Sequence, residues 1–200
     1  SPTSAELHHK LQKLKFLETA LYVAAHPDDE NTRLIAYLSN HTKAHTTYLS
    51  LTRGDGGQYL IGPELRDLLG VLRTQELLGA RRVDGGHQLF SRANDFGFSK
   101  NPDETLNIWD NKEVLGDVVW AIRQLKPDIV INRFDHRTPG TTHGHHTASA
   151  MLSVEAFDLA NRTDAYADQL SHTETWQPSR LFFNTSWWFY GSRKKFNEAD

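Results

Sequence analysis

The chain has 200 residues, 38% of them hydrophobic, and a formal charge of -3, enough apolar content for one domain with its own core and no basic surplus for nucleic acid or an anionic membrane. It contains no cysteine, which excludes disulfides, thiolate metal ligands and a cysteine nucleophile and leaves His, Asp and Glu to hold a metal. No apolar run approaches the roughly 20 residues that span a bilayer, so no transmembrane segment is expected.

The chain opens SPTSAEL without an initiator Met. That fits a removed signal peptide, which would make the protein periplasmic or secreted, as well as a trimmed chain. Leu21 to Ala25 (LYVAA) is the first buried strand, and residues 31–40 form the helix after it. Residues 46–51 (TTYLSL) make the second strand. The Gly-rich loop TRGDGGQYLIG (52–62) follows, then a long helix from about Pro63 to Arg82, with proline where a missing N–H costs nothing. After a VDGG turn, residues 87–90 form a short third strand, and residues 91–111 are an irregular excursion carrying Phe96, Phe98 and Trp109. The segment 112–126 spaces Val114, Leu115, Val118, Val119, Ile122 and Leu125 on one helical face, with Trp120 among them as core. Residues 128–134 make the fourth strand, expected beside the first. A helix begins near Gly144 after the loop 135–142, and residues 180–186 make a fifth strand. The chain ends on charged residues after WWFY with no obvious terminal element, as if residues 1–200 were one domain cut from a longer parent.

Strand-length apolar runs alternating with helical periods predict an α/β fold, a mostly parallel sheet with helices on both faces. In such sheets the ligand crevice lies beyond the carboxyl ends of the strands. The acids after strand one, the Gly-rich loop after strand two and the histidines after strand four therefore land on one rim.

Two constellations on that rim carry chemistry. In HPDDE (26–30) the ordinary reading is capping, with Asp28 as N-cap and Asp29 and Glu30 complementing the helix dipole, each by about 0.3 to 1 kcal/mol. Capping leaves His26 unexplained, whereas an imidazole at a strand end beside carboxylates is a metal-ligand pattern. Of the eleven histidines, four fall at 136, 143, 145 and 146. On a helix starting at Gly144, His143 and His146 stand three residues apart and converge, while His145 points elsewhere. A polar helix start with hydrogen-bonded histidines is one reading; a zinc site of N and O ligands with one open position is the other. Spacing alone does not choose between Asp28 and Asp29. The TRGDGGQ loop lacks a Walker lysine and G-x-G-x-x-G spacing, so its glycines serve a tight turn before they serve a phosphate.

AAHPDDE, SLTRGDGGQ, LRTQELLGA and the HxxH of His143 to His146, in that order, closely resemble the PIG-L/LmbE family of zinc-dependent N-acetylglucosamine-type deacetylases, over nearly the whole chain to about residue 190. The resemblance implies a single-domain, Rossmann-like fold. It implies His26, Asp29 and His146 as ligands of Zn2+, another divalent metal being the alternative, with Asp28 as general base and His143 facing the substrate carbonyl. Arg73 becomes a substrate contact, and Arg53, Asp55 and Gln58 border the site as further contacts. The family often has H-P-D-H where this chain has His143-Gly144-His145-His146. The acid that steadies a neighbour is thus replaced by His145, a rival ligand or substrate contact, and Asp135 or His136 is expected to compensate.

The activity implied is hydrolysis of the N-acetyl amide of an N-acetylglucosamine-type sugar or glycoconjugate, giving acetate and an amine. The partner is then a small N-acetylated sugar. Phe96, Phe98, Trp109, Trp187 and Trp188 are either core or walls of a sugar cleft. A non-catalytic carbohydrate-binding module on the same fold is the alternative, and it has no need of all five residues His26, Asp28, Asp29, His143 and His146. A dinucleotide-dependent oxidoreductase lacks its glycine fingerprint after strand one, where His26 and Pro27 stand.

Overall fold

The computed structural model describes residues 2–57 and 65–199. Strands β1 (Thr19–Ala24), β2 (His45–Ser50), β3 (His87–Phe90), β4 (Ile129–Asn132) and β5 (Arg180–Phe183) form one all-parallel sheet in the order β3-β2-β1-β4-β5. β1 pairs with both β2 and β4, so that Leu21 stands beside Thr47 on one side and Val130 on the other. The chain winds outward from β1 through β2 to β3, then returns to β4 and β5 on the far side. The strand order therefore reverses between β1 and β4, the switch point at which open α/β sheets leave a crevice.

A central parallel strand is covered on both faces and has to be apolar throughout, which is why Ala20 to Ala25 are all buried. Leu21, Val23 and Ala25 pack against Val114, Val118 and Ile122 of α5 (Asn111–Leu125) and Ala148 and Leu152 of α6 (Gly144–Leu159). Tyr22 and Ala24 face the other way, onto Ile35 of α2 (Thr32–Ala36) and Leu77 of α3 (Asp67–Asp84). The expected helices on both faces are present. Among the described residues no helix is long and apolar enough to cross a membrane.

The differences from expectation have local causes. The N-terminal segment forms α1 (Ser4–Lys13), closed by a capping box between Thr3 and Glu6. The 91–111 excursion contains α4 (Pro102–Ile108), where Asn101 accepts from the Asp103 N–H at 2.9 Å and proline takes the first turn. Seven residues are too few to show a helical period, but Asn-Pro-Asp-Glu is a start signal. The helix after β1 widens into a π-helical turn at Tyr37–His41. The expected start of the third helix at Pro63 lies outside the described residues; its end is set by Gly85 at φ +78°. The terminal segment adds the short helix α7 (Arg193–Asn197). Trp120 is not core: it lies off the Val114–Val118–Ile122 stripe, is 36% exposed, and meets the His172 ring edge-on.

One charged side chain holds the lower part of the domain together. Arg123 of α5 is fully buried, and among the described residues no carboxylate pairs with it. Its guanidinium donates instead to the carbonyls of Ala160, Arg162, Ala165 and Tyr166 and to the Gln169 side chain, at 2.7 to 3.1 Å. Each N–H of the fork thus has an acceptor, and the loop after α6 is clipped to α5. Arg123→Ala leaves these acceptors buried without donors and is expected to lower the unfolding free energy by about 3 kcal/mol or more. Arg123→Lys should recover less than half of that, since an ammonium reaches from a single point. Urea unfolding midpoints measure both; an unchanged midpoint for Arg123→Ala would mean the clip is dispensable.

Candidate active site

The chain leaves β1 through a corner fixed mainly by backbone acceptors. The Thr52 N–H and hydroxyl both donate to the Ala25 carbonyl at 2.9 Å, and the Tyr48 hydroxyl donates to the His26 carbonyl. The Asp29 N–H closes the turn onto the same His26 carbonyl at 3.3 Å. Asn31 is the cap of α2, its Oδ1 accepting from the Leu34 N–H at 3.1 Å. The capping role expected of Asp28 is therefore taken by Asn31, and both aspartates are left free for the rim.

Asp29 turns inward. Its Oδ2 accepts from the His26 backbone N–H at 2.7 Å and lies 3.2 Å from His26 Nδ1, while Oδ1 lies 3.2 Å from His146 Nε2. Donor atoms of the three residues all fall within 4.8 Å of one another. Ligands in a tetrahedral zinc site, at bonds of about 2.0 to 2.2 Å, stand about 3.3 Å apart, so two imidazole nitrogens and a carboxylate oxygen at this spacing suit zinc or a similar divalent ion. The Phe134 ring stacks on His146 at 3.9 Å and fixes its plane. Burial alone would raise the Asp29 carboxyl, but hydrogen bonds from His146 and His26 outweigh it and hold the acid well below the usual carboxylate range. For His26, burial works against the charged form, and Asp29 and Asp95 more than offset it, raising its pKa.

A second triple, His26, His143 and His145, also gathers ligand atoms. It offers no carboxylate, and its His143 Nδ1 and His145 Nδ1 are 2.8 Å apart, a hydrogen-bond length. Since His143 Nε2 accepts from the Ser99 N–H at 3.3 Å, its proton sits on Nδ1 and donates to His145, leaving His145 Nε2–H to face Asp95 Oδ1 at 3.7 Å. Burial first, then the charge of neighbouring histidines, pushes His143 down to about 4 and His145 down to about 3. Both are neutral at pH 7.

His145 was expected to point away from the site. It turns inward, its ring 5.1 Å from that of His26, and is fully buried against Phe96 and Trp109. Full burial removes it from direct substrate contact. The reason lies at the helix start: His143 has extended backbone, at φ -55° and ψ 142°, so helical period does not count from it. The loop carrying Ser99 also closes on the helix end. The Gly144 N–H donates to the Ser99 carbonyl at 2.7 Å, and a Cβ at 144 would meet the Asn101 carbonyl at 2.8 Å. Asp135 is paired with Arg137 at 2.9 Å, with His136 at 3.9 Å. The acid behind the histidine pair is Asp95, which sequence reasoning missed; its clue was an acid four residues after Ser91, where the third strand meets the same rim.

A cavity of about 310 Å³ opens beside the cluster, lined by His26, Asp28, Gly54, Arg73, Asp95 and His143. Arg53 and Asp55 line an adjoining cavity of about 510 Å³ instead, and the Arg53 guanidinium is 4.3 Å from the centroid of the Phe90 ring. Gln58 lies outside the described residues. The glycines of this loop permit close approach: a Cβ on Gly56 would stand 2.3 Å from the Asp95 carbonyl, and Gly54, at φ +72°, abuts Pro27. Of the aromatics, Phe96 and Trp109 enclose His145, exposed Phe98 meets the His143 ring edge-on at 4.7 Å, and Trp187 and Trp188 stand exposed after β5.

Known proteins resemble this chain in sequence or in fold to different degrees. A 1D-myo-inositol 2-acetamido-2-deoxy-alpha-D-glucopyranoside deacetylase of Thermobispora bispora is 30% identical, over 70% of this chain and 51% of that protein. The chain spans about half the length of the curated relatives it matches. The N,N'-diacetylchitobiose deacetylase of Pyrococcus horikoshii superposes with a TM-score of 0.67 at 19% identity, covering 91% of this chain and 69% of that one. The 4-carboxy-2-hydroxymuconate hydratase GalB of Pseudomonas putida KT2440 superposes at 0.57 and 19% identity, covering 74% and 59%. These two likenesses show the fold. Residues 21–157, most of the sheet together with both halves of the His and Asp cluster, match the family model described as PIG-L, GlcNAc-PI de-N-acetylase, and the chain belongs to that family.

Proposed function

We propose that this chain is a metal-dependent N-deacetylase that acts on an N-acetylglucosamine-type sugar or glycoconjugate, with zinc as its metal. The observation that carries the reading is the convergence of His26, Asp29 and His146 beside a cavity that Asp28, Arg73 and His143 enter. The T. bispora relative, named as a deacetylase of an acetamido sugar joined to inositol, supports the substrate class.

His26, Asp29 and His146 would hold a divalent ion, which would supply Lewis acidity and lower the pKa of water. Asp28, exposed at the cavity, takes the proton of the attacking water and returns it to the amine nitrogen as the C–N bond breaks. Acetate and a free amine leave. His143 is neutral near pH 7, so it steadies the tetrahedral oxyanion as a hydrogen-bond donor rather than as a cation. To donate from Nε2 the ring must give up the Ser99 N–H and take the tautomer whose Nδ1 accepts from His145; His145 then carries its proton on Nδ1, and its bare Nε2 requires a proton on the facing Asp95 carboxyl. Asp95 and His145 act as positioning residues behind it, and Arg73 offers its guanidinium to substrate hydroxyls.

His26→Ala and His146→Ala are each expected to lose bound metal on dialysis, measured by elemental analysis, while Asp28→Asn retains metal and loses at least about a hundredfold in acetate release. A metal-free protein with undiminished activity would sink the mechanism, and full activity in Asp28→Asn would remove Asp28 as base. His145→Phe keeps the aromatic packing and deletes both nitrogens. It should lower kcat on the order of tenfold or more with KM and metal content held; a change in KM alone would place His145 on substrate binding instead.

A further inference from the structure

A surface helix of a globular domain turns its apolar stripe to the core. α1 does the reverse. Leu7, Leu11 and Leu14 recur at helical spacing on one face and are 49%, 61% and 74% exposed, with Phe16 at 40% and Leu17 at 85% just beyond. A single exposed leucine needs no explanation, but five neighbouring apolar side chains form a patch. What ties the helix to the domain is polar: the Lys13 ammonium donates to the Gly85 carbonyl at 3.4 Å, and the Lys43 ammonium stands 3.1 Å from His9 Nδ1. By helical period His9 and Lys13 lie away from the leucines. These contacts therefore aim the leucines outward, and no residue of the helix is buried.

The border of this stripe is cationic. Lys10 and His8 flank it on the helix, and Lys15 follows in the turn that closes α1. Between Ser4 and Glu18 three lysines and two histidines stand against two acids. The carboxylate of one of these, Glu6, is taken by the Thr3 N–H and hydroxyl at 2.6 and 2.9 Å. Among the described residues the lysines paired with carboxylates are Lys126 and Lys194, elsewhere in the fold. Lys13 and Lys43 crowd each other: burial first, then the Lys43 charge, lowers the Lys13 pKa. The chain as a whole has no basic surplus, but α1 has one of its own.

Charge selects the occupant. An apolar stripe bordered by lysines is complementary to an anionic lipid surface, where leucines enter the acyl boundary and ammonium groups meet the headgroups. A second copy fits badly. Packed antiparallel or parallel along the leucine seam, two such helices bring Lys10 against the Lys10 or the Lys15 of the other, and like charges across a seam repel. We propose that α1, with Phe16 and Leu17, docks this protein on an anionic membrane surface. The helix leads into the amino end of β1, whereas the His26, Asp29 and His146 cluster stands past the carboxyl end of that strand and its neighbour. The docking face and the candidate active site thus lie at opposite ends of the sheet, and the rim stays open to the medium.

The experiment sediments the protein with vesicles of phosphatidylcholine alone and of phosphatidylcholine mixed with phosphatidylglycerol, at low and at high salt. The parent should bind the mixed vesicles and not the neutral ones, and high salt should release it. Lys10→Gln combined with Lys15→Gln should weaken binding on the order of tenfold or more. Leu11→Ser should weaken it by about tenfold, since it removes an apolar side chain from the acyl boundary. The urea midpoint should hold in both variants, because these side chains are exposed. A parent that stays in the supernatant with the mixed vesicles overturns the docking, as does equal binding to both vesicle types or binding untouched by Leu11→Ser. Where the parent does not bind, a dimer lost in Leu11→Ser assigns the stripe to a second copy, and a fallen urea midpoint assigns it to packing within the protein.

Discussion

A carboxylate sunk between two imidazoles is stable only while its partners stay in place, and Asp29 sets that requirement for this molecule. Burial by itself would drive the acid to its neutral form; the His26 and His146 side chains and a backbone N–H keep it ionised. Those histidines come from segments more than a hundred residues apart. They meet because β1 and β4 are neighbours in a parallel sheet, which sends both chains out through the same edge. The buried strand, the Tyr48 hydroxyl on the His26 carbonyl and the Arg133 guanidinium on the Asp29 carbonyl all hold one corner still.

Much of the fold was legible in the sequence because it rests on periodicity. The buried runs at 21–25 and 128–134 and the helical stripe from Val114 to Ile122 carry their burial in their own pattern, and the structure adjusts only their ends. The HPDDE corner and the histidines at 143 and 146 were legible too, as residue types with no comfortable place in an apolar core. What was hidden depends on contacts between segments. No local pattern announces that Asp95 backs a histidine pair, that Arg123 is satisfied by carbonyls, or that Asn31 and not Asp28 caps α2. Trp120 misled for the opposite reason: an indole among valines suggests core, but angular position on the helix, not composition, decides burial.

The same sheet topology supports a hydratase in P. putida and a deacetylase in P. horikoshii, so the reaction is set by side chains on the rim and not by the strands beneath. In this chain those side chains are divided by the 26–31 corner. On one flank Asp28, Arg73 and His143 surround a small cavity; on the other, Asn31, Arg33 and Arg133 border a second one.

The backbone at Gly144 limits how this rim can change. Its N–H is spent on the Ser99 carbonyl and its missing Cβ makes room for Asn101. Proline, which the family's pattern places at this position, has no N–H to give and carries the ring that Asn101 forbids. Neighbouring His145, meanwhile, is walled in by Phe96 and Trp109 from the same stretch of chain. The motif and the 95–109 segment are therefore fitted to each other: proline at 144 would cost the Ser99 hydrogen bond and displace the Asn101 backbone, so one cannot be changed to that form while the other stays where it is.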